Sequence, residues 1–401
     1  MNIPSIKGAL NGIRVLDLSR VLAGPWCGMY LGDMGAEVIK VEPPQGDDTR
    51  KWGPPFLESE SVYFLGCNRN KKGMVIDLSI KAGKQLLEKL IPKFDVLLEN
   101  YKLQTLEKWG FDIAWFKKYA PHVVHCSITG YGSKGPQAGL PGYDFILQAE
   151  SGLMFITGEK NGTPSKYGVA IVDLTTGMMA ANSIQSALIA RFRTGQGQKV
   201  EINLHDTALA LLSNVGNSNL ATNKESQRYG NGHPTIVPYT TYETADSIVA
   251  LAVGNDKQFS QLANLLGHPE WLSDQRFQTN SARIKNRDLV DKMISIEAIK
   301  YPTSSLIKLL MNCGIPVGQV KSVHEALNSD QASANRMVTQ IDHPLIGSYL
   351  TLGIPVQLSQ TPGEIYKAPP TLGQHTREIL KDYLGLDTSE IDSLYLENVV
   401  K

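Results

Sequence analysis

The chain has 401 residues, with 39 lysines and arginines balanced by 39 aspartates and glutamates. This length predicts two or three domains and is sufficient to bury a sizeable core. The balanced charge excludes the overall basic surface with which proteins attract nucleic acid or anionic membranes. Because the sequence also has no run of about 18 apolar residues, which a membrane-spanning helix needs, we expect neither a nucleic-acid partner nor a membrane partner.

The cysteines and the first residues of the chain bear on its compartment. The four cysteines lie far apart and form no C-x-x-C pair or other zinc-binding spacing; they are Cys27, Cys67, Cys126 and Cys313. Isolated cysteines of this kind are typical of reduced, buried thiols in cytosolic proteins. Residues 1–7 lack the apolar core of a secretory signal and the arginine content of an organellar presequence. We therefore expect a cytoplasmic protein without a metal site.

The N-terminal part of the chain has the pattern of a βαβ unit. Residues 12–18 and 37–42 are rich in apolar and β-branched side chains, which is typical of strands. Between them the chain turns into a helix with Pro25 near its first position, where the missing N–H group loses no hydrogen bond, and Gly35 ends that helix. Two strands joined by a crossover of this length are parallel neighbours in one sheet.

Strands and helices continue to alternate after this unit. The predicted strands are 74–78, 95–100 and 123–128, with a predicted helix at 82–94 and predicted helical segments within 105–119. This alternation predicts an α/β fold with a doubly wound, mostly parallel sheet and helices on both of its faces. Ligands of such sheets bind at the carboxyl ends of the strands.

A glycine-rich segment and a single carboxylate follow. The length of residues 129–166 favours a set of loops for close backbone approach to a ligand over a plain surface connection. The apolar residues 168–172 then end in Asp173, and the apolar positions of 182–190 recur with helical period. We therefore place Asp173 at a strand-to-helix corner. An aspartate there is either a helix N-cap or a functional carboxylate, and the local sequence leaves both open.

The composition changes near residue 226. Before this point we predict a strand at 199–204 and a long helix at 206–220. Beyond it, residues 239–253 have the pattern of two paired antiparallel strands, and residues 257–310 have the pattern of helices with polar connections. This order of elements predicts a second domain of the α+β class.

We accordingly divide the chain into three parts. Residues 1–225 form a large α/β domain that binds the ligand, and residues 226–325 form a small α+β domain. The prolines of residues 341–376 favour an extended path across a surface, so we expect residues 326–401 to return to the large domain, with a closing helix at 376–384.

Several motifs, taken in order along nearly the whole chain, resemble those of the family III coenzyme A transferases of the CaiB/BaiF type. Each is weak alone, but together their order and spacing are highly specific. They comprise residues 15–25, 31–44 with Gly46 and Asp47, 99–101, 130–132, 135–136, 142–144, 151–152, the turn at Asp173, 254–256 and 258–259. The resemblance implies an interlocked homodimer in which each subunit threads through the other.

The resemblance also implies that Asp173 is the catalytic nucleophile. In this family the matching aspartate attacks an acyl-CoA thioester, the CoA thiolate opens the mixed anhydride, and the resulting aspartyl-CoA thioester passes CoA to an acceptor acid. A carboxylate with an ordinary pKa of about 3.9 is ionised at neutral pH and needs no general base. Coenzyme A, acyl-CoA and a carboxylic acid are thus the implied substrates, and no tightly bound cofactor is expected.

Further residues receive roles from the same resemblance. The backbone amides of Leu22 and Ala23, at a strand-to-helix turn, would stabilise oxyanions. Tyr143 and Asp144 would support the site, with Asp144 near Asp173, although Asp144 can instead stabilise a turn. Contacts with CoA are implied for Arg20, Val21, Arg69, Lys71, Lys72, Asn100, Tyr101 and Lys108.

Three of these implications have ordinary alternatives or departures. Lys71 and Lys72 can be plain solvated lysines. Pro43 stands where family members often carry an arginine, so part of the phosphate-binding set must come from elsewhere. One loop, which consists of Gly230, Asn231, Gly232 and His233, resembles the family's mobile loop that shields the acyl-enzyme from water. The alternative is that these residues form an ordinary interdomain linker.

Two rival functions follow from the same motifs. The family contains racemases and isomerases, which need a histidine directly before the aspartate that matches Asp144. Tyr143 occupies that position, and a tyrosine with a pKa near 10 exchanges protons poorly, so a transferase is favoured. A non-catalytic acyl-CoA-binding protein is the second rival.

A narrower resemblance concerns the substrates. Residues 151–154, 156–159, 168–170, 235–239 and 372–376 are most similar to the succinyl-CoA:glutarate branch of the family. This branch passes CoA between dicarboxylic acids, so a succinyl-CoA or a similar dicarboxylyl-CoA donor is implied.

Overall fold

The computed structural model describes residues 8–401, so residues 1–7, on which the expectation about targeting segments rests, lie outside the described residues. The chain divides into two compact units. The large unit contains the described residues up to Ser151, Tyr167–Gly216 and Asp330–Lys401, and the small unit contains Gly152–Lys166 and Asn217–Ser329. Residues 152–166, which we had placed in the large domain, thus cluster with the small unit.

The strands of the described part of the chain are mostly short. In chain order they are β1 (Arg14–Asp17), β2 (Glu37–Glu42), β3 (Phe56–Leu57), β4 (Glu60–Ser61), β5 (Lys71–Val75), β6 (Val96–Glu99), β7 (Val124–Thr129), β8 (Lys199–Asn203), β9 (Tyr239–Glu243), β10 (Ile248–Ala252), β11 (Val317–Gln319), β12 (Val338–His343) and β13 (Gly347–Leu352).

The helices range from single turns to one of 24 residues. In chain order they are α1 (Ala23–Asp33), α2 (Val62–Leu65), α3 (Lys81–Leu90), α4 (Thr105–Lys108), α5 (Ile113–Tyr119), α6 (Asp144–Glu150), α7 (Leu153–Ile156), α8 (Ile171–Thr194), α9 (Leu204–Leu211), α10 (Ser213–Thr222), α11 (Asp256–Leu265), α12 (Asn280–Lys285), α13 (Arg287–Ala298), α14 (Thr303–Asn312), α15 (Val323–Leu327), α16 (Asp330–Ala334), α17 (Thr376–Leu384) and α18 (Thr388–Leu396).

The large unit is built on a six-stranded sheet with the order β5-β2-β1-β6-β7-β8. Every neighbouring pair in it is parallel, with Val15 of β1 opposite Val38 on one side and Val96 on the other. The strands next to β1 are almost completely buried, as parallel strands covered on both faces must be, and they carry the buried charged residues Lys40, Glu42 and Glu99 among apolar ones. The α/β fold with a mostly parallel sheet is therefore confirmed.

Helices cover both faces of this sheet. On one face α1 and α8 pack against each other and against the strands. Gly177 permits this close approach, since a Cβ atom there would lie 2.5 Å from the carbonyl oxygen of Ala23. On the other face an apolar core joins the sheet to α3, α17 and α18, and it includes Leu87, Ile379 and Ile391.

The C-terminal segment runs along the outer edge of the sheet. The N–H group of Asn70 donates to the oxygen of Lys367 at 2.8 Å, and the N–H group of His375 donates to Gly73 at 2.8 Å. After α18, the N–H group of Asp77 donates to the oxygen of Val399. This segment therefore covers β5, which would otherwise expose an unpaired strand edge.

The small unit has its own sheet and core. Its strands have the order β11-β10-β9 and pair antiparallel, as predicted for residues 239–253. Helices α11, α13 and α14 contribute to an apolar core that also contains Trp271 and Phe277. The fully buried Arg283 donates to the carbonyl oxygens of Val237 and Phe277 and to the carboxylate of Asp256, so its charge and all three of its nitrogens have partners.

Four predicted elements differ from the structure. Strand β5 begins at Lys71 rather than residue 74, because that lysine is buried and not a solvated flank. The segment 129–166 contains α6 and α7 between its loops. Residues 168–170 form no strand, and α8 begins at Ile171. The helix expected at 206–220 is divided into α9 and α10 at Ser213, whose φ is +46°.

Within residues 8–401, no helix combines the length and the apolar character needed to cross a bilayer. In the same range, no group of three or more His, Cys, Asp or Glu side chains is placed to hold a metal ion. The four cysteines are free thiols, of which Cys27, Cys67 and Cys126 are buried and Cys313 is partly buried.

Candidate active site

A cleft lies at the carboxyl ends of the central strands of the large unit. The sheet extends from β1 in both directions, so the strand order reverses between β1 and β6. Ligands of open α/β sheets bind at such a reversal. The cleft is lined by residues 20–23 after β1, 100–103 after β6, 128–130 at the end of β7, 139–143 before α6, and by Asp173 and Leu204.

The turn between β1 and α1 has an unusual backbone. Val21 has a φ of +71°, a conformation that β-branched residues rarely adopt and that persists only where the surroundings enforce it. The Asn100 side chain accepts from the N–H group of Arg20 at 2.9 Å and donates to its carbonyl oxygen at 2.7 Å. The carboxylate of Asp47 accepts from the N–H group of Val21 at 3.3 Å. The turn is thus fixed from two sides.

Buried ion pairs lie beneath this turn. Lys40 and Asp47 are 2.9 Å apart, and Lys40 also donates to the carbonyl oxygen of Ser19. Burial opposes the charge of Lys40, but the carboxylates of Asp47 and Asp17 outweigh it and raise its pKa. Burial likewise opposes ionisation of Asp47, yet Lys40 and the Thr49 amide lower the pKa of this carboxyl to about 2. These charges hold the turn without facing the cleft.

Helix α1 begins directly at the cleft. Leu22 is its N-cap, whose side chain accepts no hydrogen bond from the first turn, and Ala23 is its first residue. The first N–H groups of a helix have no partner within the helix and favour an anion. Leu22 and Ala23 both line the same cleft as Asp173. The structure therefore brings together the predicted oxyanion residues and the predicted nucleophile.

Asp173 lies in the first turn of α8 and is not its N-cap. The N-cap position belongs to Ala170, which has no side chain that can accept a hydrogen bond. The buried Asp144, on α6, replaces it: its Oδ1 atom accepts from the N–H groups of Val172 at 2.8 Å and Asp173 at 3.3 Å. Asp144 therefore serves as the missing cap and leaves the carboxylate of Asp173 to face the cleft.

The carboxyl of Asp173 is not ionised as readily as we expected. Burial, and then the negative charge of Asp144, raise its pKa to about 7. The expectation of an ordinary pKa is thereby corrected, because the sequence does not show how far a carboxyl is removed from water. Burial and then the charge of Asp173 also raise the pKa of Tyr63, which places this tyrosine of α2 near Asp173.

The walls of the cleft come from loops after three strands. Gly130 and Gly142 touch each other, since a Cβ atom on either would lie within 2.6 Å of backbone atoms of the other. These two glycines thus permit close contact between two loops that both line the cleft. The predicted Tyr143 is exposed and lines the cleft, as do the exposed Arg20 and Lys102.

Several predicted CoA contacts have other partners in the structure. Lys71 is fully buried and donates to Asp17 at 2.9 Å, to the oxygen of Pro25 and to Asn68. Burial lowers its pKa, against the opposing effect of Asp17. Buried Arg69 makes a two-point contact with Asp33. These two cations are therefore structural, which corrects both predictions and the alternative of a solvated Lys71.

Of the other predicted CoA contacts, some line the cleft and some do not. Lys72 lies at the start of β5, away from the carboxyl ends of the strands, and pairs with Glu37 and Glu378. Asn100 uses both atoms of its side-chain amide on the backbone of Arg20, so it shapes the cleft rather than presenting its amide to a ligand. Arg20, Val21 and Tyr101 line the cleft, whereas exposed Lys108 does not.

The predicted shielding loop belongs to the small unit. The carbonyl oxygens of His233 and Pro234 accept hydrogen bonds from Arg287, whose guanidinium also lies over the Tyr229 ring. Asn231 donates to the hydroxyl of Thr241 at 3.0 Å. Gly230 has a φ of +58°, which a glycine adopts without strain. The loop is therefore anchored at several points within its own unit.

Sequence reasoning missed three residues of the site. Lys102 follows Asn100 and Tyr101 in the same loop and lines the cleft. Gln148 donates a hydrogen bond to Asp144. Because Gln148 lies one helical turn after Asp144 in the sequence, this contact could have been predicted from the spacing. Tyr63 lies near Asp173 in space but 110 positions earlier in the chain, so no local pattern indicates it.

Comparison with known proteins identifies the family. The family model described as CoA-transferase family III matches residues 10–376. The chain belongs to CoA-transferase family III. It is 41% identical over 393 residues to succinyl-CoA:glutarate CoA-transferase of Mus musculus, covering 98% of this chain and 90% of that protein. It is 40% identical to succinate–glutarate CoA-transferase of Agrobacterium fabrum, covering 95% and 97% of the two chains.

A solved structure agrees with this assignment. A CaiB/BaiF family protein from Brucella suis is 39% identical and superimposes with a TM-score of 0.83, covering 94% of this chain and 100% of that chain. The resemblance seen in the sequence is thus confirmed, and the protein is a family III CoA-transferase that uses CoA thioesters as substrates. The cleft at the sheet reversal is its candidate active site.

Proposed function

We propose that this CoA-transferase moves CoA from succinyl-CoA or a similar dicarboxylyl-CoA to a free dicarboxylic acid, with Asp173 as the covalent nucleophile. The observation that carries the proposal is the half-buried carboxylate of Asp173 in the first turn of α8, facing a cleft that also contains the start of α1. The names of the relatives at about 40% identity support the succinyl-CoA donor and the glutarate-like acceptor.

The proposed reaction conserves the energy of the thioester. The ionised Asp173 attacks the thioester carbonyl, the carbon–sulfur bond breaks, and the CoA thiolate leaves a mixed anhydride. The thiolate then attacks the aspartyl carbonyl, which releases the donor acid and forms an aspartyl-CoA thioester. The acceptor carboxylate attacks this thioester, and the released thiolate attacks the acceptor carbonyl of the second anhydride. Asp173 is regenerated as a carboxylate, and no net proton is consumed.

Each tetrahedral intermediate carries a negative oxygen that needs donors. We assign this task to the amides of Leu22 and Ala23, because the start of α1 lies in the cleft and the buried ion pairs fix the preceding turn. For the phosphates of CoA we assign the exposed cations Arg20 and Lys102 at the rim, with Val21 and Tyr101 beside them and Lys108 farther along α4.

The reaction as written needs no metal ion and no tightly bound cofactor, since a carboxylate supplies the nucleophile. We propose that Gly230, Asn231, Gly232 and His233 shield the activated intermediates from water.

We also propose a homodimer, which is supported by apolar side chains exposed on α8, including Ile189 and Phe192. A cytoplasmic location agrees with four free thiols. Light scattering of the purified protein will test the dimer.

The function is tested by following CoA from succinyl-CoA to a panel of mono- and dicarboxylic acids. We expect transfer to dicarboxylic acids by the wild type and loss of turnover in Asp173→Ala. Hydroxylamine added during turnover should label Asp173 as a hydroxamate. Full turnover by Asp173→Ala, or a label on another residue, contradicts the proposed nucleophile. Exchange of the α-proton with deuterated solvent without transfer would instead support the racemase, and binding without either reaction would support an acyl-CoA-binding protein.

A further inference from the structure

A buried glutamine links the two acidic residues of the site to the chain that precedes α8. Gln148, on α6, is 1% exposed and lies one helical turn after Asp144. Its Nε2 atom donates to Asp144 Oδ2 at 2.6 Å, and its Oε1 atom accepts from the N–H group of Tyr167 at 2.7 Å. The orientation of the amide follows from chemistry, because a backbone N–H group can only donate.

The hydrogen bonds continue from Gln148 to the nucleophile. The Oδ2 atom of Asp144 is held by Gln148, so its Oδ1 atom is left to accept from the N–H groups of Val172 and Asp173. Two side chains of one helix thus connect the backbone at Tyr167 with the backbone at Asp173. Without the Gln148 donor, the buried Asp144 carboxyl group would lose the hydrogen-bond partner that fixes its rotation.

We propose that Gln148 is a positioning residue for the proposed nucleophile, acting through Asp144 to hold the first turn of α8 and the carboxylate of Asp173 in the reactive geometry. The inference rests on the proposed function of Asp173. It assigns to Gln148 no contact with substrate. The charged group that bears on the ionisation of Asp173 is Asp144 from α6, and Asp173 in turn contributes to raising the pKa of Tyr63 on α2.

The test compares wild type, Gln148→Ala, Gln148→Glu and the control Gln185→Ala. Gln185 lies on α8 itself and is half-buried, and within residues 8–401 its side-chain amide donates to the backbone oxygen of Ala181. We expect Gln148→Ala to lower kcat by about 10- to 100-fold with little change in KM for acyl-CoA. The pH profile of kcat/KM should move to lower pH. Water that enters the space left by the side chain, and rotation of the Asp144 carboxyl group away from Asp173, should lower the pKa of Asp173. The control should leave both unchanged.

The near-isosteric Gln148→Glu keeps the inference testable if the alanine variant does not fold. A glutamate at this position can still accept from Tyr167, but it donates to Asp144 only while protonated. We therefore expect its activity to fall at alkaline pH, where the wild type has reached its plateau. A wild-type kcat and pH profile in the folded Gln148→Glu and Gln148→Ala variants would overturn the inference. Equal turnover by wild type and Asp173→Ala would overturn the proposed function, and this role with it.

Discussion

At the scale of single residues, Asp173 experiences two opposing electrostatic effects. As the third residue of α8 it lies where the helix N-terminus favours negative charge, typically by less than 1 kcal/mol. Burial and the charge of Asp144 act in the other direction and are stronger, so the pKa of its carboxyl rises to about 7. A shift of this size makes the ionisation of the proposed nucleophile sensitive to pH in the physiological range.

The first prediction concerns this pH dependence. Only the ionised Asp173 can attack, so kcat/KM should rise with pH through about 7 and fall about tenfold per pH unit below that value. An ordinary aspartate would place the same limb near pH 4. The measurement is kcat/KM between pH 5 and 9 with substrate stability controlled separately. A profile that is flat over this range contradicts the raised pKa.

At the scale of elements, the turn between β1 and α1 depends on charges below it. Lys71 and Asp17 are both fully buried and 2.9 Å apart, and Asp17 also accepts from the N–H and hydroxyl groups of Ser19. Breaking a buried pair leaves one charge without a partner in the interior, which is far more destabilising than losing an exposed pair. Lys72, the next residue, is partly exposed and provides a natural comparison.

The second prediction separates a structural from a ligand-binding role of these lysines. Lys71→Met should destabilise the fold by about 3–5 kcal/mol, because it leaves Asp17 buried without its partner. Lys72→Met should change the free energy of unfolding by about 1 kcal/mol or less. Urea unfolding and the KM for acyl-CoA are measured for both. A stable Lys71→Met protein with a raised KM for acyl-CoA would instead support the prediction that Lys71 contacts a phosphate of CoA.

The contact between α1 and α8 gives the third prediction. Gly177→Ala should lower stability by about 1–3 kcal/mol, because its Cβ atom cannot fit against the oxygen of Ala23 unless α8 moves. Since α8 carries Asp173, kcat should fall as well. Gly168→Ala is the matched control, since nothing lies within 4 Å of its Cβ position. Equal thermal stability of the two variants would show that α8 is not held by this contact.

At the scale of the whole molecule, the small unit gathers pieces that are distant in sequence. Arg228 donates to the carbonyl oxygens of Phe155 at 2.9 Å, Gly162 at 3.0 Å and Glu159 at 3.3 Å. One guanidinium thereby joins residues 152–166 to the chain that leads into the predicted shielding loop. We infer that these two segments are ordered together.

The fourth prediction follows from these bonds. Arg228→Ala should raise hydrogen exchange in residues 152–166 and in the loop at 230–233, because three charge-assisted bonds to the backbone are lost. If the loop shields the intermediates, the ratio of hydrolysis to transfer should also rise. The rise should be about tenfold if the substitution weakens the closed state of the loop by about 1.4 kcal/mol. Lys160→Ala, which removes an exposed pair with Asp288, is the control. Unchanged exchange in both segments contradicts the joint ordering.

Much of this architecture could be predicted from local patterns. The strands at 37–42 and 239–253 and the helix at 376–384 were predicted because hydrophobic periodicity and Gly or Pro boundaries are short-range signals. The start of β5 at Lys71 was missed, since a lysine normally marks a solvated flank and its buried partner lies 54 positions away. The cap of α8 was missed for a similar reason, because Asp144 reaches it from another helix.

The sequence by itself determined the parallel α/β class, the order of the motifs and the identity of the proposed nucleophile, because these depend on residue type and spacing along the chain. Only the tertiary structure decided which charges face the cleft and which are buried in ion pairs, and how readily Asp173 ionises. Those properties depend on distances between side chains from separate elements and on the removal of water around them. Neither distance in space nor exclusion of water is encoded in the immediate neighbours of a residue.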